Sequence, residues 1–241
     1  MAVSFYDNLP INENIELDLS MLEATGLITH DESKNHSMAT MHSNIGAPLW
    51  QQLAAGNYGL YLNAAYPTID TYHYLDIPAA NSANLDFTTT DYSLAVWFNW
   101  VDTGLSQVIM GKYAVNIRGW EVYVTRVGVN DYMTVRHHHA GGATLRTGNY
   151  SLGWVVSAWH LFSYTRIGAT AQHYRDGQPI ATVSDVMIDP ESSAASDVVI
   201  GSRYTHDANW FRARFHRPRA WSRALSADEH RYIYETEKEW F

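Results

Sequence analysis

From about residue 60 onward the chain alternates between apolar and polar positions with a period of two. Residues 59–63 and 72–77 each read as a short strand, the second stopped by Pro78. The longest alternating run is 92–100. Its Tyr92, Leu94, Val96 and Phe98 share one face, and Trp97 lies on the other. Further runs predict strands over 107–111, 120–126, 132–138, 159–165, 169–175 and 198–201, with Gly, Asn and Asp clustered between them. Asp176-Gly177 predicts a two-residue hairpin, because both turn positions favour positive φ. Many short strands joined by tight turns predict a β-sandwich or barrel.

The ends read differently. Residues 1–16 are polar and interrupted by Pro10, and are expected to form an extended N-terminal arm. The domain itself is placed at 17–241 and opens with a short strand over 17–19. Residues 29–46, rich in Ser, Asn, His and Asp, are expected to form a long loop. Ser226-Ala227-Asp228-Glu229 has capping-box spacing, with Ser226 as N-cap and Glu229 reaching back to it. Asp228 suits the positive end of a helix. A helix is predicted over 227–237, with Ile233 and Trp240 docking on the sandwich.

Composition narrows the classes. Of 241 residues, 46% are hydrophobic, enough for one large core, and only 17% are charged. The net charge of −9 disfavours nucleic acid, whose phosphates an acidic chain repels. The absence of cysteine excludes disulfides, thiolate metal sites and a thiol nucleophile. The N-terminus has no basic segment followed by an apolar one, so no signal peptide is read, and no apolar run is long enough to span a membrane.

The order of segments resembles the laminin-G-like jelly-roll domains of the concanavalin A-like superfamily. Asp31-Glu32-Ser33-Lys34-Asn35 is similar to the family's D-x-S-G-N loop. Tyr74-Leu75-Asp76-Ile77-Pro78, Asp91-Tyr92-Ser93-Leu94-Ala95-Val96-Trp97, Ala158-Trp159-His160-Leu161 and His173-Tyr174-Arg175-Asp176-Gly177 follow its strand motifs in order. Arg219-Ala220-Trp221-Ser222-Arg223-Ala224-Leu225-Ser226-Ala227-Asp228-Glu229 is similar to its closing motif. The resemblance spans about 17–236. It implies an all-β, two-sheet antiparallel jelly-roll sandwich with one short C-terminal helix. It implies little about function, since the fold hosts lectins, adhesion modules, glycanase appendages and capsid proteins. Where the family carries Asp-Glu before the closing motif, this chain has His216-Arg217, a cationic pair that opposes a hard cation.

Candidate chemistry is confined to a few places. Asp31, Ser33 and Asn35 form an oxygen-rich loop that could hold calcium, or an Asx-type turn whose side chains bond their own backbone. No cofactor is required by anything else in the chain. Tyr204, His206, Asp207, Asn209 and Trp210 have the composition of a sugar-binding rim: stacking faces beside amide and carboxylate groups. His137 and His139 share a strand face and could chelate a transition metal, or else lie solvated on a hairpin shoulder before Ala140-Gly141-Gly142. Glu121, with Tyr123 and Thr125 on the same face, reads as an exposed strand glutamate. The paired carboxylates of a glycanase strand motif are absent. Arg212, Arg214, Arg217, Arg219 and Arg223 are expected to pair with the surplus carboxylates, internally or on a neighbouring subunit.

These readings point to a non-catalytic binding or structural module. The first expectation is a virion component, such as a phage capsid decoration or tail-associated protein. It would make homo-oligomeric contacts and contacts with other virion or surface proteins, and could bind surface glycans. The alternative is a soluble or secreted carbohydrate-binding module of lectin type. Either would work in a virion or extracellular setting.

Overall fold

A strand that alternates has one face to bury, and the chain buries those faces by stacking two sheets. The computed structural model describes residues 8–44, 49–63, 72–114, 118–127, 130–147, 157–180, 186–206 and 208–241. In chain order the strands are β1 (Ile15–Asp18), β2 (Ile28–His30), β3 (Met38–Ser43), β4 (Leu49–Gln52), β5 (Tyr58–Leu62), β6 (His73–Ile77), β7 (Tyr92–Trp100) and β8 (Gln107–Ala114). They continue with β9 (Arg118–Val127), β10 (Asn130–His139), β11 (Gly142–Thr147), β12 (Trp159–Ile167), β13 (Thr170–Arg175), β14 (Gln178–Ile180), β15 (Val198–Ile200) and β16 (Ala213–Trp221). One helix, α1 (Ala227–Glu237), follows.

The first sheet runs β14-β13-β12-β7-β16-β5-β4, with β1 also paired to β16. The second runs β11-β10-β9-β8-β15-β6-β3-β2. All pairings are antiparallel, as expected of a jelly-roll sandwich. Between the sheets lie Tyr92, Leu94, Val96 and Phe98 of β7, the four that the alternation placed on one face. Opposite them are Leu75, Ile77, Trp120, Val122, Val124, Met133 and Val135. Each large side chain so buried contributes about 1.5–3 kcal/mol.

All nine residues of β7 are buried. Its second face is covered by α1, where Trp97 packs with Ala95, Leu161, Trp221 and Ile233, flanked by Tyr234 and Phe241. The Trp97 indole N–H donates to Glu237 at 2.7 Å. The capping box forms: the Glu229 amide donates to Ser226 Oγ, and Glu229 Oε2 accepts from the Ser226 amide. Ile233 docks as expected. Trp240 lies in a short 3-10 turn, edge-on to His216.

Two expectations need correction. Within the loop expected over 29–46 the chain forms β2 and β3. Their inward positions are the small or polar Thr29 and Ala39 with Met41, so composition hides the alternation, and pairing with β6 (Met41 opposite Leu75) supplies the register. Residues 8–16 do not stand away as an arm. Pro10–Asn12 is a 3-10 turn, and β1 begins at Ile15. The Trp221 indole donates to the Ile11 carbonyl at 2.7 Å, and the Arg223 guanidinium to the Pro10 and Glu13 carbonyls. Residues 1–7 lie outside the described residues.

Candidate functional site

The two sheets differ on their outer faces. The first is covered by α1. On the second, side chains opposite to the core positions form an aromatic and polar layer, in which Tyr113, Glu121, Tyr123, Thr134 and His138 are largely buried. β9 presents Glu121, Tyr123 and Thr125, the trio that the alternation put on one face. β10 presents Thr134, Arg136 and His138. In the β9–β10 register Arg136 faces Glu121, Thr134 faces Tyr123 and His138 faces Gly119. β8 contributes Tyr113, also opposite Gly119, and Gly111, opposite Glu121.

Those two glycines shape the surface. An added Cβ at Gly111 would stand 2.8 Å from Glu121 Cβ, so the glutamate lies over a position with no side chain. At Gly119, where φ is +84°, a Cβ would collide with the Lys112 carbonyl. Across that residue the Tyr113 and His138 rings approach to 4.3 Å between centroids. A bulge in β8 between Val108 and Met110 puts Val108 on the outer face while Ile109 and Met110 enter the core.

Two clefts open here. One, about 220 Å³, is lined by Ser106, Val108, Glu121, Tyr123, Thr125, Arg136, Arg203 and Asn209. The other, about 170 Å³, is lined by Tyr113, Ala114, Ser196, Asp197, Val199, Tyr204 and His206. The loop after β15 stands between them, giving Arg203 to the first and Tyr204 to the second. In the first cleft Glu121 is only 3% exposed, not the exposed strand glutamate expected. Arg136 donates to its Oε1 at 2.9 Å, and His138 Nε2 stands 3.5 Å from it. The Arg136 guanidinium also donates to the Tyr123 hydroxyl and lies 4.5 Å from that ring. Burial raises the Tyr123 hydroxyl above the ordinary phenol value, so it stays protonated.

The rim predicted from composition is only partly a rim. Tyr204 meets Tyr113 edge-on at 4.9 Å, and His206 stacks on Tyr74 at 4.1 Å. Trp210 is buried and stacks on Tyr72 at 5.3 Å, so its ring packs the loop down. Asn209 donates to the Ser106 carbonyl at 3.0 Å and lines the first cleft. Asp207 lies outside the described residues. Sequence reasoning missed Tyr113, Arg136, His138 and Arg203. The signal that could have found the first three is the shared face of Glu121, Tyr123 and Thr125, carried across to the neighbouring strands; Arg203 lies in the loop after β15.

Asp31, Ser33 and Asn35 do come together, as a turn. Asp31 accepts from the Asp18, Ser33 and Ser37 amides and from the Ser33 hydroxyl. Burial raises its carboxyl above the ordinary aspartate value even though those bonds oppose the shift. The Asn35 amide donates to the Glu16 carbonyl and carboxylate. The histidines separate. His137 points into the core and is not solvated: its Nε2 is 2.7 Å from the Tyr92 hydroxyl and its Nδ1 is 3.0 Å from the Ile188 carbonyl. His138 is also buried, on the other face, and His139 Nδ1 accepts from the Gly141 amide. Among the described residues no three His, Cys, Asp or Glu side chains are gathered as metal ligands.

The arginines mostly find partners within the chain. Arg217 forks onto Asp18 and reaches Glu237, Arg219 forks onto Glu237, and Arg223 pairs with Glu229. Arg214 donates to Gln51 and lies over Tyr61.

A family model for the concanavalin A-like lectin/glucanases superfamily matches residues 70–229. The chain belongs to the concanavalin A-like superfamily. Three solved structures show how widely this concanavalin A-like sandwich is shared. One is the binding domain of botulinum neurotoxin DC in complex with rat synaptotagmin II, with TM-score 0.68 and 12% identity, covering 94% of this chain and 52% of that one. The second concerns cell entry of botulinum neurotoxin type C through two ganglioside molecules (TM-score 0.67, 10% identity, 94% and 52% covered). The third is the binding domain of Paraclostridial Mosquitocidal Protein 1 (TM-score 0.64, 14% identity, 94% and 53% covered). The chain spans about half the length of these structures, and at such identity the likeness is one of fold. No curated protein matches the sequence. Among the described residues, no helix of this concanavalin A-like chain is long and apolar enough to cross a membrane.

Proposed function

We propose that the chain is a non-catalytic glycan-binding module that works through the outer face of its second sheet. The observation that carries this is the asymmetry of the sandwich. One outer face is covered by α1, while the other opens two adjoining clefts edged with aromatic rings, hydroxyls and charged groups. Rings supply stacking area for the apolar faces of sugars, and fixed polar groups supply orientation. Hydrolysis is not part of the proposal. Glycosidases need two carboxyl groups across the bond, and Glu121 is the one carboxylate among the described residues lining the first cleft, already held by Arg136. Relatives in fold whose titles name synaptotagmin and gangliosides are compatible with a binding role.

A glycan array followed by titration tests this. Wild type is expected to bind a defined set of saccharides, equally with calcium and with chelator. Tyr204→Ala is expected to weaken binding about tenfold, the usual scale for losing one stacking ring. An array with no hits, or hits that Tyr204→Ala leaves untouched, would refute the proposal. A place on a virion and a homo-oligomeric state are separate proposals that rest on the sequence reading alone. Light scattering showing a stable monomer at micromolar concentration would remove the second.

A further inference from the structure

We infer that the first cleft takes the carboxylate of an acidic saccharide, with Arg203 as its receptor. The inference rests on reading the open face as a glycan site and adds the ligand class.

Three observations carry it. The first is the state of Arg203. In a chain with surplus carboxylates, Arg136, Arg166, Arg217 and Arg219 each hold an acidic side chain within 4 Å. Arg203 lines the cleft half-buried, 6.0 Å from the Tyr113 ring, and among the described residues its guanidinium has no carboxylate partner. A cation partly withdrawn from water gains from an incoming anion, and the planar guanidinium fork matches a carboxylate.

The second is the balance of donors. The Ser106 hydroxyl accepts from the Arg126 amide and keeps its own proton to give. The Tyr123 hydroxyl accepts from Arg136 and remains protonated. Tyr123 also has Thr125 as a partner, so Arg203 and the Ser106 hydroxyl are the donors that face the cleft, which suits an acceptor-rich ligand. Glu121 would repel an anion if it stood alone, but Arg136 neutralises it at 2.9 Å. Among the described lining residues the cleft therefore carries one uncompensated positive charge, matching one monoanionic group.

The third is the neighbouring cleft. Arg203 is followed by Tyr204, which with Tyr113 and His206 edges the second cleft. A carboxylated residue held at Arg203 would leave its adjoining neutral ring beside these aromatics. That arrangement selects a saccharide over a free inorganic anion.

The test is titration calorimetry with four methyl glycosides (N-acetylneuraminic acid, glucuronic acid, glucose and galactose) and a sulfated heparin disaccharide. A carboxylated glycoside is expected to bind at least about tenfold more tightly than its neutral counterpart, a difference that shrinks in high salt. Arg203→Gln is expected to erase that difference, and Arg203→Lys to restore part of it. If Arg203→Gln folds poorly by thermal melting, Ser106→Ala, which removes one donor, is expected to narrow the preference for the acidic glycoside. Equal binding of acidic and neutral glycosides, or no effect of either variant, would overturn the inference and leave the glycan reading standing. Tighter binding of the sulfated disaccharide would overturn the carboxylate assignment. Binding of no saccharide would overturn both.

Discussion

Glu237 sits where three elements meet. Its carboxylate accepts from Arg217 of β16 at 2.9 Å, from Arg219 of β16 at 2.7 and 2.8 Å, and from the Trp97 indole of β7 at 2.7 Å. Arg219 and Glu237 are both buried. Removing one partner of such a group leaves the others charged and desolvated, which costs about 3–5 kcal/mol. Glu237→Ala is therefore expected to lose about that much in urea unfolding followed by tryptophan fluorescence. A loss under about 1 kcal/mol would show that water relaxes around the arginines. Arg217 also explains the departure from the family motif. At φ +51°, beside Pro218 and within a bulge of β16, it holds Asp18 and Glu237 together as a cation where the family carries an acid.

At the scale of elements, α1 is the part whose boundaries local chemistry dictates. Ser226, Asp228 and Glu229 satisfy or complement the free amides of the first turn. Ser226→Ala is expected to cost about 1 kcal/mol, measured as a shift in urea midpoint. An unchanged midpoint would mean that packing on Trp97 alone fixes the helix start. The strands show the opposite limit. β7 was legible because Leu94, Val96 and Phe98 alternate with smaller or polar neighbours over nine residues. β2, β4 and β14, each three or four residues long, give too little alternation to read. β11 was hidden by its glycine-rich start just after the turn expected at Ala140-Gly141-Gly142.

Across the whole molecule, three buried histidines make the sandwich sensitive to acid. Burial pushes His137 and His216 down to about 4 and His230 to about 3. Each is held as a neutral ring. His137 lies between Tyr92 and the Ile188 carbonyl, His216 meets the Tyr58 carbonyl, and His230 meets the Thr165 hydroxyl. The unfolded chain takes up these protons near pH 6.5, and the folded chain takes them up only near 3 to 4. Between those values the unfolded state binds more protons, so stability rises with pH and falls as pH drops below 6.5. The loss is on the order of 1–2 kcal/mol per histidine by pH 5. Urea midpoints from pH 7.5 to 4.5 are expected to fall along this slope, and His230→Gln to flatten it by about one proton. A midpoint flat down to pH 5 would show that the rings are already charged in the folded state.

The sequence by itself determined the sandwich, the two faces of β7, the capped helix and the common face of Glu121, Tyr123 and Thr125. All of these are local: a period of two, a turn dipeptide and a three-residue capping interval are written in neighbouring positions. Only the tertiary structure decided that α1 covers one sheet while two clefts lie on the other. It alone brought Arg203 beside Glu121, and it set Tyr113 and His138 together across Gly119. It packed Trp210 onto Tyr72, bonded Asp31 to its own turn, and sent the adjacent His137 and His138 to opposite faces of the sheet. Such facts depend on which strands become neighbours and in what register. That choice is made by burial summed over the whole chain, and no short stretch of sequence records it.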